Sequence, residues 1–225
     1  MANIAIVLGK SGTGKSTSIK GLNPDETVVI NTLKKKLPFK GSSSLYNKEK
    51  YNLIEVDDYA STISWLNTIG EGKKIKTIII DDAIYIMRKE YFKRAKETGY
   101  GKYTELAQHF QQIIQTCEGL RDDLNIFLML HSEDIQSDKT TTGYKVSTIG
   151  NLIDQQYNPV EVVPMVLYSA VKYDDKGNAT YGFYTHRCVE GNIEIPAKSP
   201  ADMFKEDFIP NDLGLVIKAM QEYYN

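Results

Sequence analysis

The sequence predicts an α/β fold, a mainly parallel sheet flanked by helices with an antiparallel hairpin near the C-terminus. Three observations predict it. Short, almost wholly apolar runs recur at "IAIVL" (4–8), "TVVIN" (27–31), "KTIIIDD" (76–82) and "NIFLML" (125–130), as strands covered on both faces do. Stretches with helical apolar spacing alternate with them, which implies parallel strands joined by right-handed crossovers. Later, "MVLYSAVKYDDKGNATYGFYTHR" (165–187) holds two strand-like runs around the turn signal Asp-Asp-Lys-Gly-Asn.

Taken in order, the first strand stops at a glycine. A brief helix should follow Lys15 and end near Gly21, where "GLNPDE" carries Gly and Pro stop signals. After the second strand, "KKKLPFKGSSSLYNKEK" (34–50) is polar and basic and reads as an exposed loop. "YNLIEV" (51–56) reads as a third strand. Asp57 or Asp58 can then cap a helix whose apolar face is Ala60, Ile63, Leu66 and Ile69. Two helices, about 83–97 and 102–120, separate the fourth strand from the fifth, the second with Tyr103, Leu106, Phe110, Ile113, Ile114 and Cys117 on one stripe. Residues 132–148 are polar without a helical stripe and predict a mobile loop or small hairpin, and "PNDLGLVIKAMQEYYN" (210–225) reads as a capped amphipathic helix. There is no internal repeat and no convincing linker. The expectation is a single domain over 1–225, with a core of about 1–131 and a C-terminal hairpin and helix over about 160–225.

A net charge of −2 excludes the global basic field that advertises nucleic-acid binding, so any such contact must come from a local patch. Of 27 basic residues only Arg88, Arg94, Arg121 and Arg187 are arginines. Cys117 and Cys188 lack metal-ligand spacing and read as reduced, packed thiols. The apolar run in "MANIAIVLGK" is too short for a signal peptide, and no stretch is long enough to span a membrane. A cytoplasmic protein without a membrane partner is expected.

The chemistry concentrates in "VLGKSGTGKSTS" (7–18). Gly9, Gly14, Lys15 and Ser16 fit G-x-x-x-x-G-K-[ST] without mismatch, after a strand and before a helix, as the phosphate-cradling mechanism requires. The loop Gly9, Lys10, Ser11, Gly12, Thr13, Gly14, Lys15, Ser16 and Thr17 would wrap ATP, with Lys15 on the β- and γ-phosphates and the Ser16 hydroxyl on Mg2+. Asp81, at the end of "TIIIDD", is the expected second magnesium ligand, on a strand beside that of the loop. Asp82 is placed either to polarise an attacking water or simply to cap the next helix. His131 and Ser132 end the fifth strand, where a polar group can sense the γ-phosphate.

These elements resemble the RecA-like P-loop ATPases. "INTLKKKLPFKG", "ETGYGKYTELAQH", "LRDDLNIFLMLHSED", "AKSPADMF" and "IPNDLGLVIKAM" bring the chain nearest to small phage-encoded ATP-binding proteins associated with single-strand annealing recombination. The resemblance implies a RecA-like P-loop NTPase fold, ATP hydrolysis with Mg2+, and the cytoplasm of an infected bacterial host. It also implies a homo-oligomer in which a basic residue reaches the neighbour's γ-phosphate, with Lys198 and Arg187 the candidates. One departure stands out: such enzymes usually carry a glutamate just after the second strand, and here Asn31-Thr32-Leu33-Lys34 has no acid. Asp82, or Asp57 or Asp58, would have to serve, or turnover would be slow.

Single-stranded DNA is the expected partner, together with a phage annealing or single-strand binding protein. Phe39 among Lys34, Lys35 and Lys36, and Tyr144 beside Lys139 and Lys145, are the aromatic-and-cation groupings that suit it. A small-molecule or nucleotide kinase and an ATP-dependent switch with little turnover are the alternatives.

Overall fold

The computed structural model of the chain describes residues 1–149 and 157–224. Its main sheet runs in the order β11-β8-β7-β1-β5-β4-β2-β3. The strands are β1 (Asn3–Gly9), β2 (Thr27–Asn31), β3 (Leu53–Ile54), β4 (Thr77–Asp81), β5 (Asn125–Ser137), β6 (Thr140–Val146), β7 (Met165–Tyr173), β8 (Ala179–Tyr184), β9 (Cys188–Glu190), β10 (Ile193–Ile195) and β11 (Phe208–Pro210). Pairing is parallel from β7 through β1, β5, β4 and β2 to β3, and antiparallel from β7 to β8 to β11. This is the mixed α/β architecture of the P-loop NTPase fold.

Side chains alternate across a strand, so each apolar run feeds two cores. Ile4, Ile6 and Leu8 join Ile78, Ile80, Ile126 and Leu128 on one face. That face is covered by α2 (Tyr59–Glu71), α3 (Ile84–Lys93) and α4 (Gly101–Gly119), the last through Leu106, Phe110, Ile113 and Cys117. Ala5, Val7, Val29, Ile79 and Phe127 face the other way. Their cover comes from Ile19, from the 34–50 segment, and from the C-terminal helix Leu213–Tyr224 through Leu213, Val216 and Met220. Each fully buried side chain of this size stabilises the fold by about 1.5–3 kcal/mol relative to exposure.

The largest departure from expectation follows from the need to cover the second face. Residues 34–50 are not an exposed loop: Leu37 and Tyr46 are buried, and Phe39 packs edge-on against Tyr46 with ring centroids 6.3 Å apart. A single turn of helix, α1 (Ser42–Leu45), lies within the segment. Buried Asn52 ties it down, donating to the carbonyls of Pro24 (3.0 Å) and Leu45 (2.9 Å) and accepting from the amide of Asn47 (2.9 Å). The helix after the phosphate loop is a six-residue 3-10 helix, Ser16–Gly21. β3 is two residues long instead of six. In α2, capped by Asp58, Thr62 is buried and Ala60 faces solvent. Residues 132–148 form a hairpin, because β5 runs on to Ser137 and β6 returns beside it through Asp138 and Lys139, both with φ positive at 50° and 66°. Two successive residues in that region suit the right-handed twist of a two-residue hairpin. β9, β10 and β11 were not anticipated, being three residues each.

Asn52 satisfies three backbone groups at once, so its loss leaves them unpaired beneath the segment. Asn52→Ala should lower stability by about 2–3 kcal/mol, read as a shift in the urea midpoint without a change of slope.

Candidate phosphate-binding site

The carboxyl ends of β1, β5 and β4 meet at one edge of the sheet, with β5 in the middle. The acid-bearing β4 is therefore not the neighbour of the loop strand, contrary to the sequence expectation. Gly9 sits level with His131 across the β1–β5 pair. Inserting β5 there brings His131 between the phosphate loop and the two aspartates.

The loop's shape depends on its glycines. Gly14 has φ 96°, and a Cβ on it would lie 2.4 Å from the Asn211 side-chain nitrogen. Gly9 is needed for close approach: a Cβ there would lie 2.6 Å from the Ser169 carbonyl oxygen of β7. The loop is braced from the C-terminal part of the chain, with Ser169 Oγ donating to the Thr13 carbonyl (2.8 Å) and Asn211 Nδ2 to that of Gly14 (2.9 Å).

Lys15, only 6 % exposed, folds back so that Nζ donates to the carbonyls of Gly9 and Lys10, both at 2.8 Å. Burial lowers its pKa to about 8, against the pull of Asp82 and Asp81. Ser16 Oγ donates to Asp81 Oδ1 at 2.8 Å. Asp81 is 1 % exposed, and its Oδ2 is buried without a hydrogen-bond partner. Burial first, and then the charge of Asp82, push its pKa up to about 6.

Asp82 is handled in the opposite way. Burial would raise its pKa, but His131 and Lys35 outweigh it and hold the carboxyl down to about 2. His131 Nε2 lies 2.8 Å from Asp82 Oδ1, and Lys35 Nζ forms an ion pair with Oδ2. The backbone of Asp82 is in the left-handed region at φ 55°, an arrangement that costs about 1–3 kcal/mol in a non-glycine residue. Buried Thr32 clamps it, with its hydroxyl 3.0 Å from the Asp81 carbonyl and 2.8 Å from that of Asp82. Asp82 does not cap α3 with its side chain, which is committed to His131 and Lys35.

Together these groups line a cleft of about 680 Å³ that includes Ser11, Gly12, Gly14, Lys15, Ser16, Thr17, Asp82 and His131. The donor set suits a hard divalent cation. The hydroxyl of Ser16 and the unpartnered Oδ2 of Asp81 are the oxygens that would hold Mg2+, which in phosphate sites takes one or two protein ligands and otherwise water and phosphate oxygens. Among the described residues no cluster of three His, Cys, Asp or Glu could hold a metal alone.

Other predicted residues lie elsewhere. Lys198 pairs its backbone with Val166, toward the opposite end of β7, and its Nζ donates to the Glu161 carbonyl at 3.2 Å. Arg187 is exposed and paired with Glu194 at 2.8 Å. Asp57 and Asp58 follow β3 at the far edge of the sheet. Asp57 is engaged by Lys34 and Lys89, both at 3.2 Å, Asp58 accepts from the Ser61 amide at 2.8 Å, and neither lines the cleft. Ser132 Oγ meets the Tyr168 hydroxyl at 3.4 Å. Conversely, Lys35, Tyr181 and Asn211 line the cleft, and sequence reasoning assigned none of them there. Only the lysine run of 34–36 hinted at the first; the other two are brought in by β8 and the turn after β11.

The family model for the AAA domain matches residues 1–192. The chain belongs to the AAA domain family. A search of curated proteins finds no match. This AAA domain is thus a nucleotide-binding domain of the P-loop ATPase type, and the match reaches past the hairpin β7–β8 to β9. No described helix of the AAA domain is long and apolar enough to cross a membrane.

Gly9→Ala places a methyl group against a backbone oxygen that cannot move alone. The variant should lose about 1–3 kcal/mol of stability and its ATP affinity together, checked by thermal melts with and without nucleotide.

Proposed function

We propose that this chain is a Mg2+-dependent ATPase whose nucleotide state controls a grip on single-stranded DNA, in phage recombination or replication. The observation that carries the ATPase reading is the meeting of Lys15, Ser16, Asp81, Asp82 and His131 at three strand ends. Each supplies one part of phosphoryl transfer. Lys15 is within reach of a phosphate once it leaves its two carbonyls. Ser16 and Asp81 would hold Mg2+, which supplies charge neutralisation of the phosphates when bound. Asp82, kept ionised, can accept a hydrogen bond from a water and orient it. A carboxyl with a pKa of about 2 is a weak proton acceptor near neutrality, so turnover by this route is modest.

The DNA reading is supported by continuity of β5. One strand carries His131 at the cleft and, six residues on, Ser137 at the hairpin. Lys10 of the phosphate loop reaches the same hairpin, pairing with Asp134 at 2.7 Å and lying over the Tyr144 ring at 5.0 Å. A change in the loop therefore pulls on the arm that bears Lys139, Tyr144 and Lys145. The 34–50 segment gives less support, since Phe39 packs inward, Lys34 is paired with Asp57 and Lys35 faces the cleft. The reading extends to a homo-oligomer on the strand and to an annealing or single-strand binding protein as companion.

A small-molecule kinase is the second reading, because a further open cleft of about 860 Å³ shares Ser11, Lys35 and His131 with the first. Arg88 lines it and bonds Ser147 Oγ at 2.7 Å. An acceptor there would lie beside the γ-phosphate.

Lys15→Ala should abolish tight ATP binding in calorimetry while the melting curve is kept. Asp82→Asn should lower kcat by about 100-fold or more with ATP affinity retained, whereas Asp81→Asn should also remove the Mg2+ dependence of binding. Phosphate release measured with and without single-stranded oligonucleotide decides the partner. Stimulation supports DNA, whereas transfer to a small acceptor would replace this reading with the kinase.

A further inference from the structure

We infer that Lys35 is the cation that meets the γ-phosphate from within the same chain, held on Asp82 until a nucleoside triphosphate displaces it. The inference deepens the ATPase reading and rests on it.

Lys35 stands four residues beyond the end of β2, in a turn that is fixed on both sides. Asn31 Nδ2 donates to the Lys35 carbonyl at 2.6 Å. Leu37 is buried in the second core, and Lys34, at φ 55°, is paired with Asp57. The backbone around residue 35 is thus held, while its side chain is about half exposed and reaches over the strand ends. Lys35 borders both the nucleotide cleft, beside Lys15 and Ser16, and the adjoining cleft, beside His131 and Ser11. It sits at their junction.

Of the three lysines that line the nucleotide cleft, Lys15, Lys35 and Lys36, the first two rest on acceptors that a phosphate could replace. Lys15 is on two loop carbonyls and Lys35 is on a carboxylate oxygen. A γ-phosphate offers about two negative charges and several acceptor oxygens, so it competes well with the single charge of Asp82. Because His131 already holds the other oxygen of Asp82, that carboxylate keeps a partner when Lys35 leaves. Among the described residues no arginine lines the nucleotide cleft, so the charge that develops on the transferring phosphoryl group falls to lysines.

The exchange does two things. It sets Lys35 against the γ-phosphate oxygens, and it frees Asp82 Oδ2 to accept a hydrogen bond from the attacking water. The water oxygen then bonds to the γ-phosphorus as the bond to the bridging oxygen breaks, with that electron pair leaving on ADP. The water protons end on inorganic phosphate and solvent. With ADP there is no γ-phosphate, and the Lys35–Asp82 pair persists.

The test uses the full chain and three variants, Lys35→Ala, Lys35→Arg and Lys15→Ala. ADP and a non-hydrolysable ATP analogue are titrated by calorimetry, and phosphate release is followed separately. Lys35→Ala should bind ADP within about 2-fold of wild type, which also reports an intact fold, but lose about 10-fold or more in affinity for the ATP analogue and about 100-fold or more in kcat. Lys35→Arg should recover part of both. Mixing Lys35→Ala with Lys15→Ala chains should restore nothing, since neither chain carries both lysines. Faster hydrolysis by Lys35→Ala would make the pair a simple lock, and recovery in the mixture would place the cation in trans. Either result overturns the inference while leaving the ATPase reading intact. Wild type binding neither nucleotide would overturn both.

Discussion

Two adjacent carboxylates, Asp81 and Asp82, are kept almost wholly out of water at the end of one strand, and the site is arranged around that constraint. Side by side and buried, they cannot both keep their charge without partners. The chain resolves the conflict by treating them differently. Asp81 receives one hydroxyl and keeps an unpartnered oxygen, and its acidity falls. Asp82 receives His131 and Lys35, and its acidity rises. The first is thereby suited to gain a cation, the second to remain an anion.

Supporting this pair draws on distant parts of the chain. Thr32 at the end of β2 clamps the strained carbonyls, β5 delivers His131, and the turn after β2 delivers Lys35. The phosphate loop is braced through Ser169 and Asn211, so the C-terminal hairpin and the approach to the last helix also shape the site. Asn211 lies beyond the residues that the AAA domain model matches. Lys10 then joins the loop to the β5–β6 hairpin through Asp134 and Tyr144. A packed, hydrogen-bonded connection of this kind is what a nucleotide-driven change would bias.

The strand framework was legible because its signal is local. A parallel strand covered on both faces must be apolar throughout, and "IAIVL", "TVVIN", "KTIIID" and "NIFLML" are. The phosphate loop was legible for a similar reason, since glycines at fixed spacing before Lys-Ser are demanded by the backbone itself. The 34–50 segment was misread because lysines and serines dominate its composition, while Leu37, Phe39 and Tyr46 do the packing at no regular spacing. Three-residue strands such as β9 and β10 carry too few residues to show a period.

By itself, then, the sequence determined the fold class, the anion-binding loop and the pair of acids, each written in contiguous residues. Tertiary structure alone decided that β5 would stand between β1 and β4, that Asp82 would be held by His131 and Lys35, and that Lys198 would lie away from the cleft. Those outcomes depend on strand order and on where separate turns end in space. A chain reports its own periodicity and local chemistry, but the 47 and 49 residues separating Asp82 from Lys35 and from His131 close only when the sheet forms.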